Sequence, residues 1–329
     1  MADSNKPSIL RRMIPGIILG FLVLVGLVLA GDVGQVTHDL ASFRWEVFPI
    51  ALGFTLFNYI LRFFKWHYYL RLSGVSLPMR ESSRLFVAGF PLAVTPGKAG
   101  EALKAVWLNQ ASGLPFARGV SVVLAERISD GLAVLALSAL GVITTPRYWP
   151  AFALILAGLV ALVVFIQIRP AALWLLGLCE RVPLLRRATH GLREFYEGSF
   201  TLFRPRATLT AITLGAVSWL GEGVGFYVIL TGLGLPPSQK LLAGAIFVLA
   251  FSTALGAASA LPGGLGAAEA SIAGMLALVI GLPAGIAASA TVLIRLATLW
   301  FGVSLGLATW LFSKDLLGLK EVHEPVAEG

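Results

Sequence analysis

Three clusters of ionisable residues interrupt an otherwise apolar chain. In TPGKAGEALK, Thr95 to Lys104, a Thr-Pro-Gly break with Gly97 and Gly100 stands beside Lys98, Glu101 and Lys104. AERISD, Ala125 to Asp130, sets Glu126, Arg127 and Asp130 near one helical face. LPGGLGAAE, Leu261 to Glu269, places Pro262, Gly263, Gly264 and Gly266 ahead of Glu269. Glu222 and Arg295 each interrupt a further apolar run. Hydrocarbon satisfies neither a broken backbone nor a charge, so these residues are expected to line a polar cavity.

The chemistry this pattern offers is anion binding. A helix that restarts after Pro-Gly presents free N–H groups and the positive end of its dipole. That places cradles at Gly97 to Gly100 and at Gly263 to Gly266. Lys98, Lys104, Arg127 and Arg295 would complete a phosphate or carboxylate site. Glu101 and Glu269 fall about one turn into their helices, where each can pair with an Arg or take up a proton. Blander readings stand beside these. The glycines of the third cluster can serve only to let helices approach closely, although Pro262 and Glu269 favour a broken helix. Glu126, Arg127 and Asp130 can serve only to lock two helices, and Arg295 can be a structural partner of Glu269 or Glu222.

Catalysis finds no support. No nucleophile with a His base is evident, and the four histidines are scattered without metal-ligand spacing, so neither a metal nor a cofactor is expected. GGLGAAE grazes a dinucleotide-binding pattern but follows no strand. The single Cys179 excludes an internal disulfide framework.

The elements that must position the clusters are membrane helices. Of 329 residues 57 % are hydrophobic and 13 % charged, and the mean hydropathy is +0.85, far from soluble composition. The net charge of +8 sits in short clusters between apolar runs, which fits the positive-inside bias rather than nucleic-acid binding. The expected fold is therefore an all-α polytopic membrane protein, a single integral membrane domain over residues 1–329 with about six full spans and two re-entrant or broken hairpins. Spans are expected at Ile14 to Ala30, from Val47 to the aromatic and basic end RFFKWHYYLR (Arg62 to Arg71), at Gly119 to Val142, Ala151 to Ile168, Ala207 to Thr231 and Ile286 to Phe312. Outer loops are expected at Gly31 to Glu46 and Thr144 to Pro150. Ser82 to Thr95 reaches only about 20 Å against a core of about 30 Å. It reads as the first arm of a re-entrant hairpin, with Ala99 to Gln110 returning. Leu241 to Ala260 and Ala267 to Ile280 form the second hairpin, although the first of these arms is long enough to span fully.

Lys and Arg placement puts both termini, with Lys314 and Lys320, in the cytoplasm. Residues 169–206, with seven arginines, read as a cytoplasmic loop containing a basic amphipathic segment that either lies on anionic inner-leaflet lipid or simply sets topology. The first hairpin then opens from the cytoplasm and the second from outside. Residues 14–142 and 207–312 form two inverted repeats, an architecture suited to alternating access around a midplane site.

On TPGKAGEALK, AERISD and LPGGLGAAE, in that order, the chain resembles flippase-like integral membrane proteins related to the transmembrane domain of bacterial lysylphosphatidylglycerol synthases, over about Ile14 to Phe312. The resemblance implies re-entrant helices and a role in moving or handling a lipid between leaflets, such as an aminoacylated phospholipid or a polyprenyl-phosphate-linked intermediate. It also implies a bacterial inner-membrane location. No aminoacyl-transferase domain follows the last span, so synthesis of the lipid by this chain is not expected. Two alternatives remain: a carrier for a small soluble anion, and a scaffold for a lipid-modifying enzyme partner. No nucleotide or ATPase motif is evident, so energy would come from ion gradients, partners or the lipid gradient.

Overall fold

A computed structural model describes residues 9–95, 100–142, 149–181, 189–259, 261–313 and 316. All regular structure among them is helical. Six runs are long and apolar enough to cross a membrane, by length and composition: Met13–Ala30, Trp45–Leu72, Pro205–Gly232, Gln239–Ala258, Pro262–Ile280 and Ala284–Leu311. The chain is thus an all-α polytopic membrane protein.

Helix α1 (Ile9–Ala30) leads to a short α2 (Val33–Ser42). Residues 31–46, expected as an outer loop, therefore contain a helix. Its start is fixed by Asp32, whose carboxylate accepts from the N–H groups of Gly34 and Gln35 at 2.8 and 3.2 Å. Helix α2 packs on a late helix through Asp39, which accepts from the Ser289 hydroxyl at 3.1 Å.

Two long helices form the central pair, α3 (Phe48–Leu72) and α10 (Pro205–Gly232). Small residues on α10 let α3 approach: a Cβ on Gly221 would fall 2.7 Å from Phe57, and one on Gly225 3.0 Å from Phe54. Each long helix leads into a hairpin. The first hairpin is α4 (Met79–Ala88), a 3₁₀ turn (Phe90–Val94) and α5 (Ala102–Ser112). An arm of 10 residues reaches about 15 Å, half a bilayer core. The second is α11 (Gln239–Ala258), a 3₁₀ turn (Pro262–Gly264) and α12 (Ala267–Met275), which continues through a π turn to Ile280. Both arms of this hairpin, 20 and 19 residues, are long enough to cross. The hairpins are alike in order and unequal in length.

Each hairpin ends in a Gly-Leu-Pro turn, Gly113 to Pro115 and Gly281 to Pro283, whose glycine is left-handed at φ 70° and 79°. A long helix follows each turn: α6 (Phe116–Val142), and α13 (Ala284–Arg295) with a π turn (Leu296–Trp300) and α14 (Phe301–Leu311). Along these helices Ser121 matches Ser289 and Arg127 matches Arg295, at the same offset of 168 positions as the turns.

Between the two units lie α7 (Trp149–Gln167), α8 (Arg169–Arg181) and α9 (Thr189–Leu202). The chain bends by 86° between α7 and α8. Within residues 169–206, expected as a cytoplasmic loop with a basic amphipathic segment, the described residues are largely helical. Helix α9 is seated on α6 and α7: Arg118 of α6 pairs with Glu194, a Cβ on Gly198 would meet the Ser121 hydroxyl, and the buried Tyr196 donates to the carbonyl of Ile166 of α7 at 3.3 Å. Residues 182–188, 143–148, Lys314 and Lys320 lie outside the described residues.

Candidate substrate-binding cavity

The 3₁₀ turns of the two hairpins, Phe90–Val94 and Pro262–Gly264, meet. A Cβ on Gly263 would lie 3.4 Å from Val94 of the first turn and 3.4 Å from Leu299. The described residues of each turn bond within it. In the first, the Thr95 hydroxyl donates to the Leu92 carbonyl at 2.6 Å and accepts from the Gly100 N–H at 2.9 Å. In the second, the N–H groups of Gly264 and Leu265 donate to the carbonyls of Leu261 and Pro262, and that of Gly266 to Glu269 Oε2 at 2.7 Å. Gly264 combines both expected roles of these glycines. Its φ is 68°, and an added Cβ would stand 3.1 Å from the Gly256 backbone. The N–H groups expected to cradle an anion at Gly100, Gly264 and Gly266 are therefore already bonded. Gly97 and Lys98 lie outside the described residues.

Behind each turn stands an arginine paired with the carboxylate 26 residues before it. Arg127 Nε donates to Glu101 Oε2 at 2.8 Å, and Arg295 Nε to Glu269 Oε1 at 2.6 Å. Arg295 also donates to the carbonyl of Gly263 at 3.1 Å, tying its helix to the turn. The Arg127 side chain is 39 % exposed and that of Arg295 12 %, so the first is the less enclosed of the two.

The first half carries a second, deeper network. Lys104 pairs with Glu126 at 2.8 Å and lies 4.2 Å from the centre of the Trp66 ring. Arg62 bridges Glu126 and Asp130 at 3.2 and 3.4 Å, and the fully buried Lys65 pairs with Asp130. The Trp219 indole donates to Asp130 at 3.3 Å from α10. Lys104, expected as a free cation for an anion, is instead consumed by Glu126 within the packing of α5 on α6. Arg62 and Lys65, expected at an interfacial end of α3, sit inside the protein. Their i, i+3 spacing, against Glu126 and Asp130 at i, i+4, is the signal that places both pairs on facing stripes.

Between the two halves opens a cavity of about 370 Å³. Glu101, Arg127, Asp130, Glu222, Gly263, Gly264 and Arg295 line it, so seven of the sequence-derived candidates converge there. Thr95, Gly100, Lys104, Glu126, Gly266 and Glu269 are not on its wall: Glu126 and Glu269 hold arginines that are, Lys104 holds Glu126, and the others hold the turns. The lining also includes Tyr59, Arg62 and Trp219, which the sequence reading did not single out. Tyr59 donates to the Thr298 carbonyl at 2.7 Å, crossing from one half to the other. Described cations of the cluster (Arg62, Lys65, Lys104, Arg127, Arg295) equal its carboxylates (Glu101, Glu126, Asp130, Glu222, Glu269) in number. Among the described residues no group of three or more His, Cys, Asp or Glu is arranged to hold a metal.

Residues 17–306 match the family described as the lysylphosphatidylglycerol synthase TM region. Two curated relatives, each called a UPF0104 membrane protein and both from Methanothermobacter thermautotrophicus, are similar over nearly the whole chain. One is 25 % identical over 311 residues, 88 % of this chain and 90 % of the relative. The other is 26 % identical over 319 residues, 89 % of this chain and 93 % of the relative. The match spans both hairpins, both arginine–carboxylate pairs and every described wall of the cavity: the chain belongs to the lysylphosphatidylglycerol synthase TM region family.

Proposed function

We propose that the protein is a lipid translocator that holds an anionic headgroup, such as that of an aminoacylated phospholipid or a polyprenyl-phosphate-linked lipid, in the cavity between its halves. The observation that carries this reading is the pair of equivalently placed arginines, Arg127 and Arg295, on the wall of one cavity. Two cations on opposing units suit a phosphate that must be passed from one unit to the other. Family membership supports a lipid rather than a soluble cargo. The headgroup is held by side chains rather than by backbone N–H groups, because the described N–H groups of Gly100, Gly264, Leu265 and Gly266 are already bonded.

In this reading the chain performs no covalent chemistry and acts beside a lipid-modifying enzyme that makes or consumes the lipid. It sits in the cell membrane with both termini cytoplasmic, and its basic helices face anionic inner-leaflet lipid.

Reconstitution tests the reading. Vesicles of phosphatidylcholine with a trace of headgroup-labelled phosphatidylglycerol are expected to move label between leaflets only with the protein present. Replacing both arginine pairs with Gln, so that no charge is left buried alone, is expected to slow movement by at least about tenfold, the equivalent of about 1.4 kcal/mol. Movement of inorganic phosphate but not of labelled lipid would favour a soluble-anion carrier; undiminished lipid movement in the variant would remove the proposed site.

A further inference from the structure

Glu222 stands apart from the other carboxylates of the cluster. Glu101, Glu126, Asp130 and Glu269 each accept from a cation in contact. Glu222 lies within α10 at 4 % exposure and lines the cavity, and among the described residues its Oε2 has no hydrogen-bond partner. The groups that face it are Tyr59 and Arg62 from α3, Asp130 from α6 and Arg295 from α13. From α11 the charged residue is Lys240, exposed at the start of that helix, and the turn before α3 carries Glu46 near the far end of α10. Both facing arginines already serve other carboxylates. Next to Phe57, which contacts Gly221, α3 carries Asn58, fully buried with both side-chain polar atoms unpartnered. Asn58 and Glu222 thus stand at one level of the central helix pair, each with unused hydrogen-bonding capacity.

The charge balance of the cluster gives this carboxylate a role. Among the described residues cations and carboxylates are equal in number, so a headgroup phosphate adds negative charge that no described cation is left over to balance. A buried charge without compensation is strongly disfavoured. A proton restores the balance, and on any of the other four carboxylates it would break an ion pair. On Glu222 it breaks none.

We propose that Glu222 is the proton-binding site that loads together with the anionic headgroup, one proton entering with one negative charge and leaving with it on the other side. The proposal rests on the anion-binding reading of the cavity. The proton goes to a carboxylate oxygen of Glu222, which becomes a neutral acid, and it comes from bulk water. Translocation is then a proton–anion symport whose direction follows the pH gradient, an energy source that needs no nucleotide. Anion affinity and proton affinity are linked, so each raises the other by the same factor.

The experiment measures proton uptake on anion binding, with the protein in phosphatidylcholine nanodiscs and weakly buffered medium containing a pH-indicator dye. Dodecyl phosphate serves as the lipid-like probe and inorganic phosphate as the soluble one. Expected is uptake of about one proton per bound dodecyl phosphate, with a rise in carboxylic-acid carbonyl absorption in the infrared difference spectrum. Both signals should vanish in Glu222→Gln and persist in Glu46→Gln, which alters an exposed residue remote from the cavity. Glu222→Asp should keep the uptake, which guards against a variant that fails only in packing. Binding with no proton uptake, or uptake unchanged in Glu222→Gln, overturns the proposal while leaving the anion site standing. If neither anion binds, the anion reading and the coupling fall together. Uptake with inorganic phosphate alone would transfer the site to a soluble anion and overturn the lipid-coupled form.

Discussion

Arg127 and Arg295 occupy equivalent positions, and each takes the carboxylate 26 residues before it, but the structure around them differs. In the first half the neighbouring positions Lys104, Glu126 and Asp130 join Arg62 and Lys65 in a buried ionic network. At the positions 168 further on, the second half has Ile272, Ile294 and Thr298. Ile272 and Ile294 are buried in one apolar cluster, and Thr298 spends its hydroxyl on the carbonyl of Ile294 at 2.7 Å. One arginine site therefore needs only its own carboxylate, an apolar surrounding and the Gly263 carbonyl. The network of the first half is an addition to that minimum, and it ties α3, α5 and α6 together.

The largest effect that sharpens this comparison is expected at Asp130. Asp130→Ala leaves the fully buried Lys65 unpaired and deprives Arg62 of one partner, a loss of about 3–5 kcal/mol. Thr298→Ala, at the equivalent place, is expected to stay within about 1 kcal/mol. Thermal unfolding in detergent measures both; equal losses would mean that the network adds nothing. Next comes the Lys104–Glu126 pair. Lys104→Met alone should cost about 3 kcal/mol, whereas Lys104→Ile with Glu126→Ile, copying the second half, should recover most of that loss. A double variant worse than the single would show that Glu126 is needed for Arg62 itself.

Smaller differences follow between the two arginine pairs. Glu269→Gln strands the more enclosed arginine and is expected to destabilise by about 2–3 kcal/mol, against about 1 kcal/mol for Glu101→Gln, whose arginine reaches a wetter part of the cavity. The reverse order would show that the exposed face of Arg127 is not solvated in the membrane. Smallest is the contrast of two glycines of the second hairpin. Gly264→Ala should cost about 1–2 kcal/mol from its left-handed backbone and the crowding against Gly256, while Gly274→Ala, with open space around it, should be neutral or stabilising by up to about 1 kcal/mol.

Much of the architecture is legible in the sequence because membranes punish exceptions. A Pro-Gly break or a lone Arg in an apolar run has few permitted explanations, which is why both hairpins and the convergence of Arg127, Glu222 and Arg295 follow from residue types alone. The choice of partners is less legible. Arg295 has Glu222 and Glu269 as candidate carboxylates, and only packing decides for Glu269; the equal 26-residue spacing in the two halves is the textual hint. Arg62 and Lys65 are obscured by the aromatic residues around them, which imitate an interfacial belt, and Asn58 and Tyr59 carry no charge to flag them. The amphipathic segment within residues 169–206 is legible, but its bounds and its seat on the protein through Tyr196 and Leu202 are not, because its arginines suit a lipid surface equally well.

The central claim is that one cavity, shared by the two halves, holds an anionic lipid headgroup through Arg127 and Arg295. Its most direct test is the lipid that stays with the protein through gentle purification, identified and counted by mass spectrometry. Wild-type protein is expected to retain about one phosphate-bearing lipid, and the variant with Glu101, Arg127, Glu269 and Arg295 all replaced by Gln, folded by the criterion of its melting curve, to retain none. Equal retention of the same lipid by the folded variant would contradict the account.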